Sequence, residues 1–374
     1  MKAVVIIPTY NERESIREII PIVEDEVFPK IKNWEMAILV ADDTSPDGTE
    51  QAVRDLMRKY KNLEILTGER LGLGAAYVRG MTHAIEKMGA DIVFEMDADL
   101  QHDPAKIPEF LKKLEQGYDM VIGTRYSEGG SIPAKWPFIR KIFSVCGNLL
   151  VRTIMMRFSI HDWTGGFRVL KKEVFLKERD ELTEFKGYTF QVSFLHKALR
   201  DGFKIGEVPF HFGERKLGSS KIAPAAYIFN LLKYVITARL IEVITGPFGK
   251  FLVVGGIGFI INAVLYEVLV RSTQLPIALS NVIAAQFAIF SNYNLNNLWT
   301  FKSERSKNII AYFLKMAQFY FSSNFGVILI QSGTIQLGDM LFGESLYRLY
   351  FVIGTGFLLI WNFSMYRFVI WRRK

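Results

Sequence analysis

The last third of the chain restricts the fold most, because it consists largely of long apolar runs. From Phe251 onward these runs are too long for the helices of a soluble core. A helix of about 20 residues crosses the hydrocarbon core of a bilayer, about 30 Å, at about 1.5 Å per residue. Inside lipid the backbone must satisfy its own hydrogen bonds, so the runs are expected to be helical. Four spans are predicted: Phe251–Val270, Ile277–Trp299, Ile309–Ile330 and Leu349–Trp371.

Basic residues flank these runs unevenly, which predicts their orientation. One side carries most of them: Lys250, Lys302, Arg305, Lys307, Arg372, Arg373 and Lys374. The other side has little beyond Arg271 and Arg348, next to Asp339 and Glu344. Lysine and arginine concentrate in cytoplasmic loops, so both ends of the membrane domain are expected to face the cytoplasm. The first apolar run, Ala3–Ile7, is too short for a signal peptide and stops at Pro8, so the N-terminal part is also expected there.

The first 222 residues alternate short β-branched runs with helical patterns. Strands are predicted at AVVIIPT, WEMAILVADD, LEILTGE, DIVFEMD and DMVIGTR. Helices are predicted at Ser15–Phe28, at Gly48–Tyr60, after the glycine loop of GLGAAYVRG, and at Pro104–Gln116. Strands separated by such helices form parallel βαβ units, with ligands bound beyond the carboxyl ends of the strands. An α/β domain with a nucleotide-type site is therefore predicted.

Polar motifs follow the first two strands directly. PTYNE supplies Pro8, Tyr10 and Glu12, and we expect Tyr10 to stack on a base and Glu12 to accept from a base or ribose. DDTSPDGT supplies Asp42 or Asp43 for the same purpose. Turn chemistry alone also explains DDTSPDGT, because Asp-Gly and Ser-Pro pairs are routine in turns.

The motif DADLQ after the fourth strand predicts a metal site. Alternation at a strand end points Asp97 and Asp99 the same way, with Ala98 opposite. Two carboxylates there suit Mg²⁺ or Mn²⁺ gripping substrate phosphates, and Gln101 adds a carbonyl oxygen. The alternative is two solvated loop acids that cap the helix after Pro104. No function is predicted for the neighbouring histidine.

The net charge of +8 indicates anionic partners. Nucleic acid is not expected, because RNA-binding aromatic signatures, zinc-finger spacing and a long basic arm are all missing from the sequence. The segment FGERKLGSSK combines Arg215, Gly218, Ser220 and Lys221, a pattern typical of a phosphate site. The alternative is that this segment is a solvated basic loop beside anionic lipid.

The one cysteine, Cys146, excludes an internal disulfide and is expected to be buried.

Two further segments, Lys141–Met156 and Ala223–Ile244, mix apolar residues with Arg and Lys and contain few acids. They are not apolar enough to span a bilayer. Amphipathic helices lying on a membrane surface have this composition. Ordinary core-facing helices are the alternative.

Seven stretches occur together and in order: VIIPTYNE, DDTSPDGT, GLGAAYVRG, DADLQH, GTRY, TGGFRV and FGERKLGSSK. Over about Met1 to Ile222 the chain resembles glycosyltransferase family 2 with a GT-A fold, and within it the dolichyl-phosphate mannose synthases. Phe251–Lys374 more loosely resembles the four-helix GtrA-type domain that accompanies some of these enzymes. The resemblance implies a GT-A domain at 1–222, interfacial helices at 223–246 and an all-α four-helix transmembrane domain at 247–374.

The motifs and the resemblance together predict the site. The sugar-donor nucleotide is expected against Pro8, Tyr10, Glu12, Ala41, Asp42, Asp43, Asp97, Ala98, Asp99 and Gln101. Mg²⁺ or Mn²⁺ is expected on Asp99 and Gln101. The acceptor phosphate is expected near Arg125, Arg168, Arg215, Ser220 and Lys221, and the catalytic residues are Asp99, Arg125, Arg215 and Lys221.

The resemblance implies inverting transfer of mannose from GDP-mannose to a dolichyl or polyprenyl phosphate. A phosphate monoester is mostly a dianion at neutral pH, its second pKa being about 6, and so needs no strong general base. This agrees with the lack of an obvious catalytic His or Glu. One alternative is a polyprenyl-phosphate glucosyltransferase that uses UDP-glucose. Another is a flippase for lipid-linked sugar with a tethered soluble domain, an interpretation that four polar residues in the apolar runs leave open: Asn262, Glu267, Asn292 and Asn324. The alternative is that these side chains face the helix bundle and hydrogen-bond between helices.

Overall fold

A computed structural model describes residues 1–182, 188–214, 224–306 and 308–372. The chain forms two compact units, Met1–Thr237 and Ala238–Lys374. The boundary between the units lies inside one helix, Pro224–Thr245. The predicted domain limits at residues 222 and 246 remain predictions.

The first unit is built on a seven-stranded sheet in the order β3-β2-β1-β4-β6-β5-β7. Its strands are β1 Lys2–Thr9, β2 Glu35–Asp42, β3 Leu63–Thr67, β4 Ile92–Glu95, β5 Met120–Thr124, β6 Arg168–Lys171 and β7 Ile205–Pro209. All neighbours pair in parallel except β6, which is antiparallel to β4 and β5. The predicted mainly parallel sheet and its first five strands are confirmed; β6 and β7 were not predicted.

Helices cover both faces of this sheet. They are α1 Arg13–Pro21, α2 Thr49–Met57, α3 Leu73–Glu86, α4 Ile107–Glu115, α5 Phe138–Met155, α6 Lys172–Leu182, α7 Tyr188–Arg200 and α8 Pro224–Thr245. Successive side chains of a strand point to opposite faces, and β1 is buried on both. Ala3, Val5 and Ile7 belong to one hydrophobic core, whereas Val4 and Ile6 belong to the other.

Helix α5 leaves much of its apolar surface exposed. Phe138 is 78% exposed and Phe143 58% exposed, and Cys146 is exposed as well. The prediction that Cys146 is buried was therefore wrong, because α5 buries only Asn148, Val151 and Met155. A mostly exposed apolar helix is typical of an interfacial helix and unlike an ordinary core-facing one.

The second unit is helical, with α9 Pro247–Ser272, α10 Ile277–Leu295, α11 Ile309–Phe325, α12 Ser332–Phe342 and α13 Tyr347–Met365. A wider helical segment, Gly326–Gln331, joins α11 to α12, so that Ile309–Phe342 is one stretch of 34 residues. Within the described residues three stretches are long and apolar enough to cross a membrane: Pro247–Ser272, Ile309–Phe342 and Leu349–Ile370.

The remaining predicted span, Ile277–Trp299, is helical but is not among these three stretches. It corresponds to α10, where polar residues such as Gln286 and Asn292 interrupt the apolar run. The predicted count of four transmembrane helices is therefore not confirmed. The prediction Ile309–Ile330 also ended too early, because the helix continues to Phe342.

Candidate functional site

Three polar loops meet at one edge of the sheet, beyond the carboxyl ends of β1, β2 and β4. Pro8 lies opposite Ala41, and Ile6 lies opposite Glu95. Four non-glycine residues in the described part of the chain have positive φ, and three lie in these loops: Asn11, Thr44 and Leu100, with φ of 58°, 54° and 61°. Such backbone strain clusters at functional sites, so the three loops form one candidate site.

The aspartate loop, Asp97–His102, is held by its own residues. The backbone N–H of Gln101 donates to Oδ1 of Asp99 at 3.1 Å, and that of Asp97 donates to Nδ1 of His102 at 3.0 Å. His102 is buried and stacks on Phe167, with ring centroids 5.1 Å apart. Burial lowers the pKa of the His102 imidazole, which favours the neutral ring that accepts this bond. His102, which the sequence left without a function, therefore organises the loop.

Asp97 and Asp99 differ in environment. Asp99 is buried, whereas the Asp97 side chain is 36% exposed. The Tyr77 hydroxyl donates to Oδ1 of Asp97 at 3.1 Å, and Nε2 of His102 lies 3.8 Å from Oδ2. The Asp97 carboxylate is thus both oriented by neighbours and accessible.

The oxygen atoms of this loop fit a hard divalent cation. Asp99 provides a carboxylate, and Gln101 provides an amide oxygen while its nitrogen is used elsewhere. No group of three or more His, Cys, Asp or Glu residues suited to a metal occurs among the residues the structure describes. A cation at Asp99 and Gln101 would therefore take further ligands from substrate phosphates or water, as Mg²⁺ commonly does.

Asp42 is completely buried and holds the loop after β2 together. Its carboxylate accepts from Oγ1 of Thr9 at 2.7 Å, from Oγ of Ser45 at 2.6 Å and from the Ser45 N–H at 2.8 Å. This corrects the prediction that Asp42 contacts a nucleotide, because its carboxylate is enclosed and already bonded to Thr9 and Ser45. Asp43, the next residue, instead pairs with Arg79 at 2.8 Å.

The other predicted nucleotide contacts surround the same edge. The Arg70 guanidinium lies 3.6 Å from the ring centroid of Tyr10, a cation–π contact. Glu12 accepts from the Ser15 hydroxyl at 2.8 Å. Ala41 and Ala98 are buried, so their predicted contacts with the nucleotide remain predictions.

Arg125 forms a two-pronged ion pair with Asp162 inside the domain. Its Nε and one terminal nitrogen donate to the two carboxylate oxygens at 2.7 and 2.8 Å. Burial alone would raise the pKa of Asp162, but the Arg125 charge and hydrogen bonds outweigh burial and lower it. The guanidinium also lies 5.3 Å from the Phe212 ring. A direct contact from Arg125 to a phosphate remains a prediction.

Arg168 does not agree with its predicted role at the acceptor phosphate. The side chain is completely buried and donates to three backbone carbonyls, those of Gly165, Gln191 and Trp163, at 2.8, 2.7 and 3.3 Å. It projects from β6 into the interior, opposite Glu95 of β4. The sequence did not reveal this inward direction because β6 was not predicted as a strand.

Gln101 joins the aspartate loop to the start of the basic segment, residues 212–221. Its side-chain nitrogen donates to the Gly213 carbonyl at 3.0 Å, and the Gly213 N–H donates to the backbone carbonyl of Gln101 at 2.8 Å. Phe212 packs against His102 and Trp136, with centroids 5.8 Å apart in both pairs. Three predicted phosphate contacts, Arg215, Ser220 and Lys221, lie outside the described residues.

The comparison with known proteins separates the two parts of the chain. Residues 4–178 match the model of "Glycosyl transferase family 2", and residues 250–371 match "GtrA/DPMS, transmembrane domain". A dolichol-phosphate mannosyltransferase of Pyrococcus furiosus is 34% identical over 316 residues, which cover 84% of this chain and 85% of the relative. The chain belongs to glycosyltransferase family 2. This glycosyltransferase therefore combines a catalytic domain with a GtrA-like membrane domain.

Two bacterial relatives match a shorter part of the glycosyltransferase. A polyprenol monophosphomannose synthase of Mycolicibacterium smegmatis is 35% identical over 64% of this chain and 89% of the relative. An undecaprenyl-phosphate mannosyltransferase of Micrococcus luteus is 35% identical over 64% of this chain and 96% of the relative.

Proposed function

We propose that this glycosyltransferase transfers mannose from GDP-mannose to a dolichyl or polyprenyl phosphate at the cytoplasmic membrane face, inverting the anomeric centre and requiring a divalent metal. All three relatives are named for mannosyl transfer to a lipid phosphate. The observation that carries the proposal is the hydrogen-bonded pair of Gln101 and Gly213. It brings the candidate metal loop together with the start of the basic segment, as a reaction between two phosphorylated substrates requires.

The sugar nucleotide is assigned to the edge formed by Tyr10, Glu12 and Asp43, with the diphosphate toward the aspartate loop. Asp99 and Gln101 would hold Mg²⁺ or Mn²⁺, whose charge stabilises the departing diphosphate. Asp97 lies beside them and offers an accessible, oriented carboxylate for the ribose or diphosphate side.

In the reaction an oxygen of the acceptor phosphate attacks C1 of mannose. The bond from C1 to the diphosphate oxygen breaks, and GDP leaves with the electron pair. The attacking phosphate is already ionised, so no side chain has to remove a proton. Arg215 and Lys221 are assigned to the acceptor phosphate, where positive charge offsets the repulsion between the two substrates. Arg125 supports the start of this segment through Phe212.

The exposed surface of α5 supports a membrane-facing acceptor site. Phe138 and Phe143 project apolar rings, and Arg140 and Lys141 stand beside them in sequence. Apolar residues next to basic ones suit the boundary between headgroups and acyl chains of anionic lipid. The cytoplasmic face is assigned from the distribution of basic residues around the apolar runs.

A radiolabelled transfer assay with purified full-length chain, polyprenyl phosphate and Mn²⁺ tests the proposal. We expect labelled mannose from GDP-mannose in the lipid fraction and no comparable transfer of glucose from UDP-glucose. Preference for UDP-glucose would establish the glucosyltransferase alternative instead. Transfer of neither sugar would overturn the proposal.

A further inference from the structure

Helix α3 carries the glycine-rich motif GLGAAYVRG but none of the residues assigned to the reaction. It contacts β1, β2 and β4, the three strands whose loops form the site. The side chains of Tyr77 and Met81 lie in the hydrophobic core on that face of the sheet. The helix is therefore well placed to act on the loops of all three strands.

Gly80 allows α3 to lie close to the sheet. A Cβ atom at this position would be 2.7 Å from Cγ2 of Ile6 on β1 and 3.6 Å from Cβ of Ala41 on β2. The first distance is too short for two carbon atoms, so any side chain would push the helix outward. This close approach lets side chains of the preceding turn reach the loops.

Tyr77 contacts the aspartate loop from this helix. The residue is completely buried, and its ring stacks on Phe190 with an interplanar angle of 7°. Its hydroxyl donates to Oδ1 of Asp97 at 3.1 Å. The phenol ring is fixed by packing, so the hydrogen bond selects one orientation of the carboxylate.

Arg79, two residues later, contacts the loop after β2. One terminal nitrogen donates to Oδ1 of Asp43 at 2.8 Å, and the other donates to the Glu69 carbonyl at 3.3 Å. A Cβ atom at Gly68 would lie 2.6 Å from Cζ of Arg79. The guanidinium of Arg79 therefore occupies the space that a side chain at position 68 would need, which gives a physical reason for glycine there.

We propose that Tyr77 and Arg79 are positioning residues that orient Asp97 and Asp43 on the two sides of a bound sugar nucleotide. The strand order places β1 between β2 and β4, so one helix sets both aspartates. The ligand class, a nucleoside diphosphate sugar, rests on the proposed function. Neither Tyr77 nor Arg79 is assigned a contact with the reacting atoms.

Conservative variants of the full-length chain separate positioning from general stabilisation. Tyr77→Phe removes the hydroxyl that donates to Asp97. Arg79→Lys keeps the positive charge but has one nitrogen only, so it cannot contact both Asp43 and the Glu69 carbonyl. Tyr60→Phe and Arg54→Lys are matched controls, because Tyr60 donates to Asp25 and Arg54 pairs with Glu50 on other elements. Affinity for GDP with Mn²⁺ and the KM for each substrate would be measured for all four.

We expect Tyr77→Phe and Arg79→Lys each to weaken GDP binding and raise the KM for GDP-mannose about tenfold, the size of one lost hydrogen bond to a charged group. The KM for polyprenyl phosphate and the thermal midpoint should change little. In an Asp97→Asn background, Tyr77→Phe should have almost no further effect on GDP binding, because the two residues act as a pair.

Two results would overturn the inference. If the wild-type chain binds GDP but Tyr77→Phe and Arg79→Lys behave like their controls, the positioning role is wrong and the proposed function stands. If the wild-type chain binds no nucleoside diphosphate with Mn²⁺, the proposed function fails and this inference fails with it.

Discussion

Gln101 and Gly213 are joined by two hydrogen bonds across 112 positions of sequence: the side-chain amide of Gln101 donates to the Gly213 carbonyl at 3.0 Å, and the Gly213 N–H donates to the backbone carbonyl of Gln101 at 2.8 Å. Gln101 is a candidate ligand of the cation, and Gly213 leads into the basic segment. The elements assigned to the two substrates therefore share one link, and a change on either side should affect the reaction between them.

Gly213→Ala tests this link directly. A Cβ atom there would lie 2.9 Å from the Leu100 carbonyl oxygen and 3.3 Å from Cα of Gln101. The methyl group should separate the segments, and we expect kcat/KM for polyprenyl phosphate to fall at least about tenfold, since small displacements in an active site are costly. Gly147→Ala is the control, because a Cβ atom there meets nothing within 4 Å. If Gly213→Ala and Gly147→Ala had equal kcat/KM, the contact between Gln101 and Gly213 would not matter for the reaction, and the prediction would be wrong.

Asp99→Ala should abolish metal-dependent transfer. The variant removes the carboxylate assigned to the cation, and we expect a loss of at least about a hundredfold in kcat, as when a charge-stabilising group is removed from an active site. The protein should stay folded, which circular dichroism would check. Asp55→Ala on α2 is the control for loss of an aspartate outside the site. Full activity of Asp99→Ala at every Mn²⁺ concentration would remove the metal site from the proposal.

The order of the elements and the edge of the sheet that carries the candidate site were predictable, because both depend on local patterns. Apolar runs such as Ala3–Ile7, followed by turn residues, mark a buried strand whatever lies around it. The four-residue strand β6 gave no such signal. Its place in the sheet depends on pairing with β4 and β5, which are distant in sequence.

The direction of individual polar side chains was less predictable. Asp42 and Asp43 are neighbours of the same residue type, yet one is locked inside by Thr9 and Ser45 and the other faces Arg79. Likewise the contact from Arg125 to Asp162 spans 37 positions and follows from the fold rather than from a motif. A sequence pattern therefore predicts which loops form the candidate site better than it predicts the direction of their side chains.

Asp162→Asn should destabilise the catalytic domain strongly. The substitution leaves the Arg125 charge without its carboxylate in a buried place, a change that costs about 3 kcal/mol or more of unfolding free energy. We expect the thermal midpoint to fall by at least about 6 °C, since 1 kcal/mol corresponds to about 2–4 °C in a domain of this size. Asp119→Asn, which loses a half-exposed pair with Lys171, should cost under about 1 kcal/mol. Similar midpoints for both variants would contradict the importance of burial.

The buried Glu95 should make the stability of the catalytic domain depend on pH. Burial raises the pKa of Glu95 to about 7, although the Arg168 charge opposes the shift. The folded state then holds a proton that the unfolded state releases near its ordinary pKa of 4.5, so stability is lost as pH rises from 4.5 to about 7. The unfolding free energy falls by about 3 kcal/mol over this pH range, because each pKa unit corresponds to about 1.36 kcal/mol.

Glu95→Gln removes this titration. We expect its thermal midpoint relative to the wild type to increase between pH 5 and 8 by several degrees, measured in one buffer series. Glu50→Gln, at an exposed pair with Arg54, should show no such trend. A wild-type midpoint that rises from pH 5 to 7 relative to Glu95→Gln would reverse the sign and contradict the raised pKa.

Arg215→Ala should weaken use of the lipid phosphate far more than binding of the sugar nucleotide. Arg215 follows Gly213 by two residues in the basic segment assigned to the acceptor. Loss of a charged hydrogen bond to phosphate should raise the KM for polyprenyl phosphate about tenfold or more, while GDP affinity with Mn²⁺ changes less than about twofold. Arg58→Ala, an exposed arginine on the surface after α2, is the control for loss of one positive charge. Equal losses for both substrates in Arg215→Ala would argue against an acceptor role, because they would indicate damage to the whole site.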